Sequence, residues 1–376
     1  MGRLCALALA VALTCACTKR PPMILGAPMP AGCSGKAVES ERCIGWILDR
    51  LLIKAAFTPY RDHDVNTYVA EVGRRLVAAS GDKRPWTFRV LDATEVQAFA
   101  GMSTVVYIHR GALALLRDES ELAGVLAHEI GHVLGGHTHE SFEELSKDLA
   151  SNPMSQSEQV RAARDDEIQA DETAVLLAAK AGYDPHGVER MLRAYAATAP
   201  DDGQGKDDSH PAWIERLARV QALAAELPAG ERGEDRFRAR MASLVVGKDP
   251  RNGLLVGDTA VFAAANLAVD LPHDAALKLE TSSISAELDA GNGIDLRLID
   301  AHFAPYMAKD KKDDVLTLVA IRGPIALAIS SKGVFGHREA ARLMAGLRPL
   351  TTAELAASVP KRVDLGAPRL LWLPPK

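Results

Sequence analysis

The stretch Val125-Leu126-Ala127-His128-Glu129-Ile130-Gly131-His132-Val133-Leu134 sets two histidines four apart, a glutamate beside the first, inside an apolar helix-forming run. Its surroundings commit it to a helix. Asp118-Glu119-Ser120-Glu121 is a capping-box start, and Leu122, Val125, Leu126, Ile130, Val133 and Leu134 carry a helical apolar period through the motif. Residues four apart on an α-helix stack on one face about 6 Å apart along the axis, so the imidazoles of His128 and His132 can converge on one ion. Glu129 then lies beside the ion, not on it. The pattern is that of a hydrolytic zinc site, where the ion acidifies a water and a neighbouring carboxylate takes its proton as it attacks an amide carbon. Two surface histidines on an ordinary amphipathic helix are the plainer reading of the five residues alone.

A catalytic zinc takes three protein ligands and keeps one position open. The third candidate is Glu167, in Asp165-Asp166-Glu167-Ile168-Gln169-Ala170-Asp171, which is expected to open a long helix running to about Lys180. Glu167 and Asp171 fall one turn apart on one face, so one carboxylate can bind the metal while the other accepts a hydrogen bond from a ligand imidazole. An acidic helix start that complements the helix dipole is the alternative. His137 and His139 follow Gly135-Gly136, where the helix is expected to end, and read as dipole-compensating, not as ligands. His63, His109, His186 and His302 read as surface or satisfied core residues.

Taken together, His128-Glu129-Ile130-Gly131-His132, then Glu167-Ile168-Gln169-Ala170-Asp171, then Ser209-His210-Pro211, resemble the M48 family of zinc metallopeptidases. The resemblance implies one zinc held by His128, His132 and Glu167, with Glu129 as general base and Asp171 supporting a ligand. It also implies that His210 reaches the active site, to stabilise the oxyanion or to occupy the fourth metal position in a latent state. Arg216 matches a basic residue of the same segment. Upstream, Val96 to Gly101 and Thr104 to Ile108 resemble the family's strand region before the zinc helix, with an edge strand able to hold an extended peptide by strand addition. The family usually has Asn at Gln97 and a second Gly at Met102, departures that bear on substrate preference. The resemblance runs from about Asp62 to Leu227.

The N-terminus reads as a lipoprotein signal over residues 1–16. Met1-Gly2-Arg3 is a short basic start, Leu4 to Thr14 is apolar, and Thr14-Cys15-Ala16-Cys17 ends it with a small residue before Cys17, the expected lipid anchor. An uncleaved short anchor is the alternative. No later segment offers the roughly 20 apolar residues of a transmembrane helix. Of the five cysteines, Cys33 and Cys43 then remain in the exported body. They can form a disulfide in an oxidising periplasm, or stay as two thiols.

Charge and composition set the rest. A net charge of −5 gives no reason to expect nucleic acid as a partner, and 48% hydrophobic with 25% charged residues fits a globular body. The expected class is α+β. A Pro/Gly-rich tether covers 17–43, a mainly helical zincin-like metallopeptidase domain with a short edge sheet 44–227, and a charged linker 228–236. A smaller α+β domain over 237–376 follows, marked by period-two strands from Thr259 onward and a capping box at Thr351. Residues Thr138 to Ser157 read as a loop near the cleft. The expected function is a periplasm-facing, lipid-anchored zinc endopeptidase of the bacterial envelope, on the outer membrane, whose polypeptide substrates are unfolded or misassembled envelope proteins. A holdase or assembly factor with a latent zinc site is the alternative. Oligomeric state is not legible.

Overall fold

Asp62 begins the first described helix by accepting hydrogen bonds from the amides of Asp64 and Val65, and Gly81, at φ 85°, ends it. The resulting helix α1 (His63–Ser80) buries Val65, Tyr68, Val69, Val72 and Leu76 along one stripe. The computed structural model describes residues 58–101, 104–137, 156–198, 213–273, 276–279, 283–289, 292–301, 315–323 and 325–364, with Cys43 and Asp49. The expected signal, Cys17, Cys33, His139 and His210 lie outside them. Cys43 is buried and disulfide-bonded.

A three-stranded sheet follows α1, formed by β1 (Thr87–Leu91), β2 (Ala98–Gly101) and β3 (Val105–His109) in the order β1-β3-β2. The buried run Val105-Val106-Tyr107-Ile108-His109 takes the middle, parallel to β1 and antiparallel to β2. Strand β2 is therefore an edge. Short helix α2 (Arg110–Leu115) leads to α3 (Glu119–Gly135), which carries the two-histidine motif. Its start is sunk in the core, with Asp118, Glu119, Ser120 and Glu121 all buried. Asp118 accepts from the Glu121 amide as a cap should, but the Glu121 carboxylate reaches back to the Arg117 amide, so the box is not reciprocal.

Helix α4 (Gln156–Lys180) corrects one expectation. The acidic stretch at Asp165 does not open a helix, because the helix is already running from Gln156. The preceding Gln156-Ser157-Glu158-Gln159-Val160-Arg161-Ala162-Ala163-Arg164 holds good helix formers and no Gly or Pro, so nothing stops it earlier. Residues 156–157 belong to this helix and not to the expected loop, whose remainder lies outside the described residues. Helices α5 (His186–Ala196), α6 (Trp213–Ala225) and α7 (Glu234–Met241) complete this part.

The chain divides into two compact units at Gly247/Lys248, later than the expected linker at 228–236. The charged run is not a free connection. Arg232 donates to Asp118 at 2.8 Å, Arg236 pairs with Glu119, and Phe237 and Met241 are buried in the first core. From Lys361 the chain rejoins that unit, where the Val246 amide donates to Lys361 and the Val363 amide to Leu244. The second unit, Lys248–Pro360, holds two antiparallel sheets. One is β4 (Leu254–Val256), β5 (Thr259–Phe262) and β6 (Leu267–Asp270), in that order. The other runs β10-β11-β9-β8-β7, from β7 (Ala276–Leu279), β8 (Ser283–Asp289), β9 (Asn292–Asp300), β10 (Val315–Arg322) and β11 (Ile325–Lys332). Helices α8 (Gly333–Ala345) and α9 (Thr352–Ala357) follow, the latter with the expected capping box of Thr351 and Glu354. The class is α+β. Among the described residues no helix is long and apolar enough to cross a membrane.

Candidate metal centre and cleft

Helical spacing on α3 brings the Nε2 atoms of His128 and His132 within 3.1 Å of each other. Glu167, about three turns into α4, points its carboxylate at the same place, 3.7 Å from His128 Nε2 and 3.4 Å from His132 Nε2. The close approach of the two helices depends on Gly131, where a Cβ would stand 3.1 Å from both Cα and O of Ala170. One donor atom from each of His128, His132 and Glu167 lies within 4.8 Å of the others, a group that could hold one metal ion.

The far side of each donor is tied down. His128 Nδ1 lies 2.9 Å from Asp171 Oδ1, which leaves Nε2 as the inward atom. His132 Nδ1 lies 3.0 Å from Nδ1 of His137, whose Nε2 is 2.8 Å from Gln169 Oε1. Arg216, from α6, donates to both oxygens of Asp171 at 2.6 and 2.9 Å and stands 2.8 Å from Glu167 Oε2. The guanidinium also lies over the Trp213 ring, 5.0 Å from its centroid. His137 is the member that sequence reasoning set aside. Gly136, at φ 85°, ends α3 and turns the chain so that the His137 ring covers Gly135, where a Cβ would meet it at 2.5 Å. The Gly-Gly-His tripeptide is the signal for that turn.

Electrostatics follow from the packing. Burial opposes a charged Glu167, but the hydrogen bond to His132 and the charges of His128 and Arg216 hold its carboxyl well below the usual range. Burial likewise opposes charge on Asp171, and its bonds to His128 and Arg216 keep its carboxyl low. Glu129 differs. Burial pushes its carboxyl up, against the pull of the His128 and His132 rings and of the Ala100 amide.

The centre opens on a cleft of about 510 Å³ lined by Ala98, Ala100, Val125, Glu129, Met191 and Tyr195 among others. The His109 amide donates to Gln97 O at 2.9 Å, and the alternation of an antiparallel ladder then turns the main-chain groups of Phe99 and Gly101 toward β3. Those of Ala98 and Ala100 face away from β3, at the edge bordering the cleft.

The family model of Peptidase family M48 matches residues 63–157, which include α1, the sheet and all of α3. That part of the chain is similar to an M48 peptidase domain. A putative beta-barrel assembly-enhancing protease of Vibrio cholerae is 40% identical to it over 87 residues, 23% of this chain and 18% of that protein. Metalloprotease YcaL of Escherichia coli is 26% identical over 160 residues, 36% of this chain and 61% of that protein. Mitochondrial metalloendopeptidase OMA1 of Schizosaccharomyces pombe is 24% identical over 183 residues, 44% of this chain and 54% of that protein. The chain thus spans less than two thirds of each of these relatives. The M48 match implies a metal, and the three converging donors, two imidazoles and a carboxylate, suit one.

Proposed function

We propose that the protein is a zinc-dependent endopeptidase that cleaves peptide bonds of unfolded or misassembled envelope proteins. The observation that carries this reading is the meeting of His128, His132 and Glu167 within 4.8 Å, beside Glu129 and an edge strand in one cleft. His128, His132 and Glu167 would hold the ion. Bound there, zinc would supply a Lewis acid and a more acidic water for attack on an amide carbonyl.

The chain's own groups do the rest. Ala98 and Ala100 offer main-chain partners to an extended peptide, aligning it by strand addition. Glu129, its carboxyl raised by burial, is suited to take a proton and return it to the leaving amine. Asp171 orients the His128 ring, and Arg216 fixes Asp171 and Glu167 together. His210 is assigned by family resemblance to the oxyanion or to a latent fourth position. The relatives named for β-barrel assembly and their bacterial hosts support an envelope location. Cys17 as lipid anchor and the outer membrane as its site rest on the N-terminal sequence pattern alone. In this reading Cys43 pairs with Cys33, and the second unit positions substrates.

The test is metal content and peptide hydrolysis of the full-length protein beside its Glu167→Ala and Glu129→Gln variants. The expected result is about one zinc per chain, lost or weakened in Glu167→Ala, and hydrolysis absent from Glu129→Gln with zinc retained. Zinc binding without hydrolysis by the wild type would favour a holdase with a latent site.

A further inference from the structure

Among the described residues, Tyr195 carries a buried hydroxyl with no hydrogen-bond partner. It closes one face of α5. Val188, Met191, Leu192 and Tyr195 recur at helical spacing, and Val188 leans on Gly124 of α3, where a Cβ would stand 3.2 Å from Val188 Cα. That contact sets the end of α5 against the cleft, and Met191, Leu192 and Tyr195 line it together with Val125. Val125 lies one turn before Glu129 on the same face of α3. The wall is therefore apolar except at the phenol, and the Glu129 carboxylate is near enough for its charge to act on that phenol.

A buried hydroxyl without a partner is a cost that folding alone does not explain. Phe would fill the same space. The missing partner is an acceptor, because burial keeps the phenol protonated and so a donor. The cleft indicates where such an acceptor comes from. A peptide extended along β2 satisfies half of its main-chain groups on Ala98 and Ala100, while its other carbonyls face the remaining walls and lose water as they enter.

Resting on the peptidase reading, we propose that the Tyr195 hydroxyl binds substrate directly, donating a hydrogen bond to a main-chain carbonyl oxygen of the peptide beside the bond served by Glu129. Tyr195 is then a catalytic-site donor specific to the backbone and indifferent to the neighbouring side chains. The step involves no bond change at Tyr195; the proton stays on the phenol.

The experiment compares Tyr195→Phe with wild type in the zinc-loaded full-length protein, on a set of fluorogenic peptides that differ only in the side chains flanking the cleaved bond. The expected result is a fall in kcat/KM of roughly 10- to 100-fold for every peptide. Zinc content should not change, and Tm should be unchanged or higher, since the variant removes an unsatisfied buried group. A second arm measures equilibrium binding of one uncleaved peptide to Glu129→Gln and to Glu129→Gln/Tyr195→Phe, and expects weaker binding by the double variant. A wild type that hydrolyses nothing sinks the peptidase reading, while this binding arm still decides the hydroxyl. Unaltered kcat/KM, a loss confined to peptides with one polar side chain, a fall in Tm, or equal or undetectable peptide binding in the second arm would each overturn the proposal.

Discussion

His137 stands directly behind His132, the two rings edge-on at 77° with their Nδ1 atoms 3.0 Å apart. One imidazole therefore holds the other, and Gln169 in turn holds His137 at 2.8 Å. Groups behind a metal ligand commonly contribute 10- to 100-fold in affinity. His137→Ala should weaken zinc binding by about that factor, measured by competition with a chromogenic chelator. Gly135→Ala should do the same by displacing the ring, with His137 still present.

Gly131 tests the helix pair. An added methyl would stand 3.1 Å from the Ala170 backbone, so Gly131→Ala must push α4 away from α3 and take Glu167 with it. Overpacking of this kind costs about 1–3 kcal/mol. Chemical denaturation should show that loss, and chelator competition a weaker metal site. Undiminished zinc affinity would mean that Glu167 follows the ion and not the helix.

Removing Arg216 leaves the buried carboxylate of Asp171 and the half-buried one of Glu167 without their cation. Breaking such a cluster by deleting one partner costs about 3–5 kcal/mol. Arg216→Met should lower Tm by roughly 10 °C in metal-free protein, by the usual scaling for a unit of this size. Zinc should restore part of it, because the ion takes over the charge of Glu167. A calorimetric scan with and without zinc reads both.

Acid should loosen the start of α3. Burial opposes ionisation of Asp118, yet the Ser120 hydroxyl, Arg232, Arg190 and the Glu121 amide hold its carboxyl below the ordinary 3.8. A carboxyl depressed in the folded state adds stability that is fully present above the unfolded value and is lost as pH falls through the folded one. Stability should therefore drop below about pH 4. In Asp118→Asn the protein should be less stable at neutral pH and its Tm should depend less on pH in that range.

Much of the centre is legible in sequence because it is built from helical spacing. His128 and His132 stand four positions apart, as do Glu167 and Asp171, and a helix alone puts each pair on one face. That the two pairs meet comes from resemblance, since no local rule says which helices touch. His137 is missed because its position depends on one left-handed glycine, Gly136, which returns the chain over Gly135. Tyr195 gives no signal either: at its helical phase a phenol and a core aromatic look alike. The boundary at 228–236 misleads for an electrostatic reason. Arg232 and Arg236 read as solvated charges, and their buried partners, Asp118 and Glu119, lie more than a hundred residues upstream.

The shared face of Glu167 and Asp171 also limits how this gene can change. Each added or deleted residue rotates the rest of a helix by about 100°. A single-codon deletion between the two would swing Asp171 away from His128 and Arg216 while leaving every side chain of the site encoded. Substitution can be sampled one atom at a time along this stretch of α4. Length cannot, and across diverged copies the spacing of the two carboxylates should outlast the identity of the residues between them.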